Sequence, residues 1–296
     1  MQEQSADPAH PRNVDEEPVA HFKLPKGSCD AHCHVFGPPD RFPYSPSRKY
    51  EPVDTPKEAL AALHLRLGLD RAVIVQASAH GTDNRAMLDA LAWQPDKWRG
   101  VAAIYDGTSD RDLRQMHDAG VRGIRFNFVK SLGGYPDPDL FSRSCERAAA
   151  FGWHVVLHLK GEDLLTLQDT IADLQIPFVI DHMGRVDAAL GLLQPAFTTL
   201  LALAELDGAW IKLSGAERMS VAPYAEALPF ARELARVRPD RILWGTDFPH
   251  PNLKEDVSEL ELVDLIPSYV ADADLRWRML VDNPARLYGF PPLGRE

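Results

Sequence analysis

Two histidines separated by one residue, His32 and His34 in the run SCDAHCHVF, lie on one side of an extended chain, because side chains alternate faces along a strand. Two imidazoles so placed are a ready pair of metal ligands. His158 closes the run WHVVLHL, and Asp247 lies in DRILWGTDFP. Together the four make a three-histidine, one-carboxylate set that suits Zn²⁺ or a similar divalent ion with one position left for water. His182, in PFVIDHMG, falls at the end of a further apolar run. One such histidine is explained by a hydrogen-bonded core. Five ionisable residues at equivalent places are costly to bury unless they are paired or bind an ion.

Cations accompany them. Arg125, Lys130, Arg185 and Arg218 follow the same kind of run, and Tyr50, Ser78 and Thr82 can donate hydrogen bonds. In a chain with 32 Lys+Arg against 43 Asp+Glu and a net charge of −11, cations gathered in one place imply a small anionic substrate. Arg125 and Arg218 are the main candidates, because a guanidinium grips a carboxylate with two bonds.

The elements that position these residues are legible in the spacing. Eight short β-rich runs occur at 28–36, 71–79, 99–105, 121–128, 153–159, 177–184, 209–215 and 240–249. Helical spacing fills the gaps at 56–67, 83–93, 110–119, 140–151, 162–174, 194–206 and 224–237, and two closing helices are expected at 257–270 and 273–287. Eight strand–helix units in one chain predict a (β/α)8 (TIM) barrel over residues 27–296, preceded by an irregular arm over 1–26. In such a barrel, outward strand residues pack on helices and inward ones turn polar near the C-terminal rim. Trp153, Val155 and Leu157 form an outward set, so His154, Val156 and His158 point inward. The same alternation places His32, His34, Gln76, Ser78, Arg125, Asn127, His182, Lys212, Ser214 and Asp247 inward. The long, Pro- and Tyr-rich gap at 37–56 suits a loop over that rim.

Other residues read as structural. His10 and His21 fall in the arm, His64 and His117 on helix surfaces, and His154 at the bottom of its strand, whereas His80 and His250 sit beside rim residues and could support them. Cys29, Cys33 and Cys145 contain no CxxC and predict neither a disulfide framework nor a zinc ribbon. The acidic balance argues against nucleic acid. The absence of an uncharged apolar run of roughly 18 residues argues against a membrane span. The polar N-terminus has no signal-peptide pattern, so the expected location is cytoplasmic and the expected state a monomer or small homo-oligomer.

From about Gly27 to Tyr288 the chain resembles the amidohydrolase superfamily, in the branch of 2-pyrone-4,6-dicarboxylate hydrolases and related lactonases. The motifs that carry the resemblance are DAHCHVFGP with FPYSP, VIVQASAHGTDN, GVRGIRFNF, GWHVV, VIDHMGR, WGTDFPHPN and NPARLYG. It implies that His32, His34, His182 and Asp247 surround a lactone carbonyl and that Tyr50, Ser78, Arg125 and Arg218 hold substrate carboxylates. Two positions depart from that pattern. His158 stands where the metal-independent pyrone hydrolases carry tyrosine, which restores a metal ligand used elsewhere in the superfamily, including zinc-dependent muconolactone hydrolases. Ser131 stands where they carry arginine, which removes one carboxylate anchor that Lys130 would partly replace.

The function expected from these residues is hydrolysis of a small anionic lactone of aromatic catabolism, a pyrone dicarboxylate or a muconolactone. Asp247 would activate water, with one divalent metal, zinc foremost, or the histidines alone, steadying the oxyanion. A metal-dependent decarboxylase or hydratase is the enzymatic alternative, and a non-catalytic binding barrel the other.

Overall fold

The computed structural model describes residues 19–253 and 255–295. Most of the arm, including His10, lies outside the described residues. Eight strands follow one another: β1 (Cys29–Cys33), β2 (Arg71–Val75), β3 (Trp98–Ala102), β4 (Val121–Asn127), β5 (His154–His158), β6 (Phe178–Ile180), β7 (Ala209–Lys212) and β8 (Ile242–Leu243). Each pairs in parallel with the next. Backbone bonds close the seam between the ends, from Ala31 N–H to the Trp244 carbonyl (2.9 Å) and from His34 N–H to the Phe248 carbonyl (2.8 Å). The expected (β/α)8 barrel is therefore the fold.

The helices are α1 (Lys57–Leu67), α2 (Arg85–Trp93), α3 (Asp110–Asp118), α4 (Pro138–Ala149), α5 (Gly161–Ala172), α6 (Pro195–Ala204), α7 (Leu228–Val237), α8 (Glu259–Asp264), α9 (Ile266–Tyr269), α10 (Ala273–Trp277) and α11 (Asn283–Tyr288). Local chemistry sets several starts. Ser109 and Asp112 form a capping box on α3, and Asp137 caps α4 just ahead of Pro138. The first closing helix, expected over 257–270, breaks near Leu265, because Pro267 has no N–H to continue the ladder. The second is interrupted by a π-helical turn over Arg278–Asp282.

The alternation read from the sequence divides the core in two. Val73, Val75, Val101, Val156 and Val179 fill the barrel interior with Tyr288, while Ile74, Ile124, Val155, Leu157 and Ile180 pack outward against the helices. On β1 the register shifts between Asp30 and Cys33. Cys29 and Ala31 face inside before the irregularity and Cys33 and Val35 join the outer core after it, which turns His32 and His34 inward. Among the described residues no helix is long and apolar enough to cross a membrane.

Candidate active site

The C-terminal ends of the strands converge on a pocket of about 250 Å³. His34, Tyr50, Ser78, Arg125, His158, His182, Arg218 and Asp247, all expected at the rim, line it, and His32 lies buried behind Asp247. A larger groove of about 920 Å³ runs outside the barrel along α4 and α5, but its walls are mainly apolar and hold no paired catalytic groups.

Asp247 is the centre of the pocket. Its Oδ1 faces three imidazole Nε2 atoms, of His34 at 3.3 Å, His32 at 3.6 Å and His182 at 3.7 Å. Its Oδ2 is clamped by Nε and Nη2 of Arg218. Burial would raise this carboxyl, but the Arg218 guanidinium and the imidazoles of His182, His34 and His32 together outweigh it and hold Asp247 well below the usual carboxylate range. Asp247 adopts φ 62° and His182 φ 52°, left-handed conformations that non-glycine residues avoid unless the surroundings enforce them. Gly215 makes room for the second, since a Cβ there would lie 2.5 Å from the His182 Cβ.

The imidazoles are held from behind. His34 Nδ1 donates to the Val75 carbonyl (2.7 Å), which fixes the ring with its Nε2 facing Asp247 Oδ1. Ser214 Oγ lies 3.0 Å from His182 Nδ1. His32 Nδ1 meets both Lys212 Nζ (2.9 Å) and Asp181 Oδ1 (3.2 Å). Burial lowers the pKa of His32 to about 3, and that of His182 well below its ordinary value, so both rings are neutral at pH 7.

Several expected residues play parts other than those read for them. His158 lines the pocket but does not join His32, His182 and Asp247, whose ligand atoms cluster within 4.8 Å of one another. The Arg185 guanidinium, which can only donate, contacts the His158 Nε2 at 3.3 Å. Lys130 is exposed and does not line the pocket, which Lys49 and Lys160 do, and Thr82 is exposed outside it. Gln76 and Asn127 brace loops, through the Asp83 and Leu132 carbonyls respectively. His64 is buried, not a surface residue, with Nε2 3.1 Å from Asp30 Oδ2. His117 is partly buried, accepting from Trp153 Nε1 at 3.0 Å, and His154 packs edge-on against Tyr288 inside the barrel. His80 supports the 37–56 loop by stacking on Phe36 and contacting the Pro43 carbonyl.

Four acids escaped the sequence reading. Asp30 ties β1 to the β8 end by accepting from Thr246 Oγ1 (2.6 Å) and from the His32 backbone (3.0 Å). Asp181 pairs with Lys212 Nζ at 2.9 Å and lies 3.5 Å from Arg125 Nη2. Glu217, buried beside Arg218, faces His250 at 3.6 Å, while Glu259 approaches that ring at 3.4 Å from the other side. Burial lowers the His250 pKa, but the two carboxylates outweigh it and raise it to about 9.

An eight-stranded α/β barrel whose strand ends gather histidines around one aspartate defines a class of hydrolytic enzymes. The amidohydrolase family model matches residues 29–290, and the chain belongs to that family. It is 47% identical over 279 residues to the 2-pyrone-4,6-dicarboxylate hydrolase of Comamonas testosteroni, covering 90% of this chain and 92% of that one. It is 40% identical over 274 residues to the 4-sulfomuconolactone hydrolase of Rhizobium radiobacter, covering 90% and 92%. A crystal structure from Agrobacterium tumefaciens superposes with a TM-score of 0.83 at 28% identity, covering 93% of this chain and all of that one.

Proposed function

We propose that this protein hydrolyses the ring ester of a small anionic lactone, 2-pyrone-4,6-dicarboxylate or a muconolactone-type intermediate of aromatic catabolism. The observation that carries the reading is the Asp247 Oδ1, ringed by three imidazoles within 3.7 Å in a pocket lined by five cations and no other carboxylate. The named lactonases among the relatives support the same reading.

Asp247 is the general base. Oδ1 takes a proton from water while Arg218 fixes Oδ2, so the carboxylate cannot rotate away from the attack line. The resulting hydroxide adds to the ring carbonyl and the acyl–oxygen bond breaks. His32 and His182 steady the oxyanion. Lys212 donates to His32 Nδ1, which leaves the His32 proton on Nε2, facing the reaction centre. Asp247 returns its proton to the departing enolate oxygen. Arg125, Ser78 and Tyr50 receive a carboxylate on the ring. Arg218 can offer that carboxylate only bonds beyond those it makes to Asp247, and Lys130 at most a contact at the mouth.

The donor set also fits a divalent ion. Two buried neutral imidazoles, a third whose Nε2 faces the site and one carboxylate are zinc-type ligands, and the His32 Nε2 is buried without a hydrogen-bond partner. His32, His34, His182 and Asp247 would hold it, with His158 in reserve if Arg185 moved. A bound metal would supply a more acidic water and a polarised carbonyl.

The test is loss of ultraviolet absorbance when purified protein of known metal content meets 2-pyrone-4,6-dicarboxylate or 4-sulfomuconolactone, with and without chelator. Ring opening of either supports the assignment, and chelator sensitivity assigns the donor set to a metal. Turnover of neither lactone contradicts it.

A further inference from the structure

A buried polar cluster lies behind the pocket, where the barrel closes. At its centre Asp30 is fully buried and does not line the pocket. Its carboxylate accepts from four donors. Oδ1 takes the backbone N–H groups of His32 and Thr246, each at 3.0 Å. Oδ2 takes Thr246 Oγ1 at 2.6 Å and His64 Nε2 at 3.1 Å. Those donors come from β1, from the segment after β8 and from α1. Thr246 Oγ1 in turn accepts from the Phe248 N–H at 3.0 Å.

The donors adjoin the groups that do the chemistry. His32 is tied to the β8 end at both of its peptide atoms, its N–H through Asp30 and its carbonyl directly by the Asp247 N–H at 2.8 Å. Thr246 immediately precedes Asp247 in the chain. One side chain thus spans the join between the base and an imidazole whose Nε2 lies 3.6 Å from Asp247 Oδ1. Gly245 makes room for it, since a Cβ there would lie 2.5 Å from the His32 N and 2.9 Å from Asp30 Oδ1. Regular pairing in β8 ends at Leu243, and Asp247 holds its left-handed φ of 62° beyond that point. Such a conformation persists only where its surroundings over-determine it.

We propose that Asp30 is a positioning residue: with Thr246 and His64 it sets the spacing between His32 and Asp247, and so the rate of the chemical step, without touching substrate. The inference rests on the lactonase reading for its reaction. The role needs the hydrogen bonds and not the negative charge. An asparagine can make them all, because its Oδ1 keeps the two amides while its Nδ2 donates to Thr246 Oγ1 and His64 Nε2, both able to turn from donor to acceptor.

Steady-state kinetics of ring opening tests this. Asp30→Ala should lower kcat about 100-fold, the effect of about 1 Å of misplacement, with KM within about twofold of wild type. Asp30→Asn should recover most of that loss, which a role of the charge alone would not allow. A kcat within about threefold of wild type in Asp30→Ala, a loss carried by KM, or an Asn variant as slow as the Ala variant overturns the proposal. Should Asp30→Ala not fold by circular dichroism, Thr246→Val takes its place, with kcat expected about tenfold down and recovered in Thr246→Ser. An unchanged kcat in the Val variant, or no recovery in the Ser variant, is then the contrary result. Should wild type open neither lactone, the lactonase reading fails by itself and ¹⁵N-histidine spectra decide the positioning role. The His32 ring resonances should move in the disrupting variant and return in the conservative one, and unmoved resonances overturn the proposal.

Discussion

Asp181→Asn isolates the group that holds the histidines in place. Asp181 and Lys212 are fully buried, 2.9 Å apart, and the same aspartate lies 3.2 Å from His32 Nδ1. At an effective dielectric of about 20, the attraction between unit charges at that distance is about 6 kcal/mol. The asparagine keeps the shape and one acceptor but strands the ammonium. Lys212 is already pushed below its ordinary pKa by burial, against the pull of Asp181, and can lose its proton, which caps the penalty. The expected loss is therefore about 3–5 kcal/mol, the usual cost of breaking one side of a buried pair. Asp181→Asn/Lys212→Met removes both charges and should recover about 2 kcal/mol or more of it. Urea unfolding followed by tryptophan fluorescence, on wild type, both single variants and the double, measures each difference. A single variant within about 1 kcal/mol of wild type, or a double variant equal to the sum of the singles, refutes the reasoning.

Three further predictions concern the pocket and its surroundings. Asp247→Asn should lower kcat by about 10³-fold or more while the chain still folds with a lowered unfolding midpoint, since it removes the base and leaves the buried Arg218 without its carboxylate, and steady-state kinetics beside urea unfolding checks both halves. Arg125→Met should raise KM for a ring dicarboxylate about tenfold or more with a smaller change in kcat, because the lost contact is to a group remote from the reacting bond. His250→Gln should lower stability by an amount that depends on pH. The folded pKa of about 9 lies above the unfolded 6.5, so the protonated ring contributes about 3 kcal/mol in full below pH 6.5, and this is lost as pH rises through 9. Unfolding free energies of wild type and variant at pH 6 and pH 9.5 should differ widely at the first and converge at the second.

The barrel was legible because inward and outward positions alternate without exception in WHVVLHL, and eight such runs leave few other folds. The strand ends were less so. The run at 240–249 keeps regular pairing only over Ile242–Leu243, because Asp247 then turns left-handed to face the histidines. At β6 strict alternation favours Asp181, not His182, as the inward residue, and His182 enters only through its positive φ. An aspartate next to a histidine at a strand end was the available signal for the buried Lys212 pair. His64 was also readable, since it shares the stripe of Leu60, Leu63 and Leu67 on the buried face of α1. The difference between Lys130 and Arg185 was not readable. Both follow rim residues in sequence, and only the loop path decides which of them reaches the pocket.

The central claim, water attack on the ring carbonyl, is tested most directly by a single turnover of 2-pyrone-4,6-dicarboxylate in ¹⁸O-labelled water with mass analysis of the product. The account predicts an uptake of one labelled oxygen, located in the carboxylate formed from the lactone carbonyl, and its loss in Asp247→Asn. Release of carbon dioxide, or a label found elsewhere in the product, would contradict the account and turn the site toward decarboxylation or hydration.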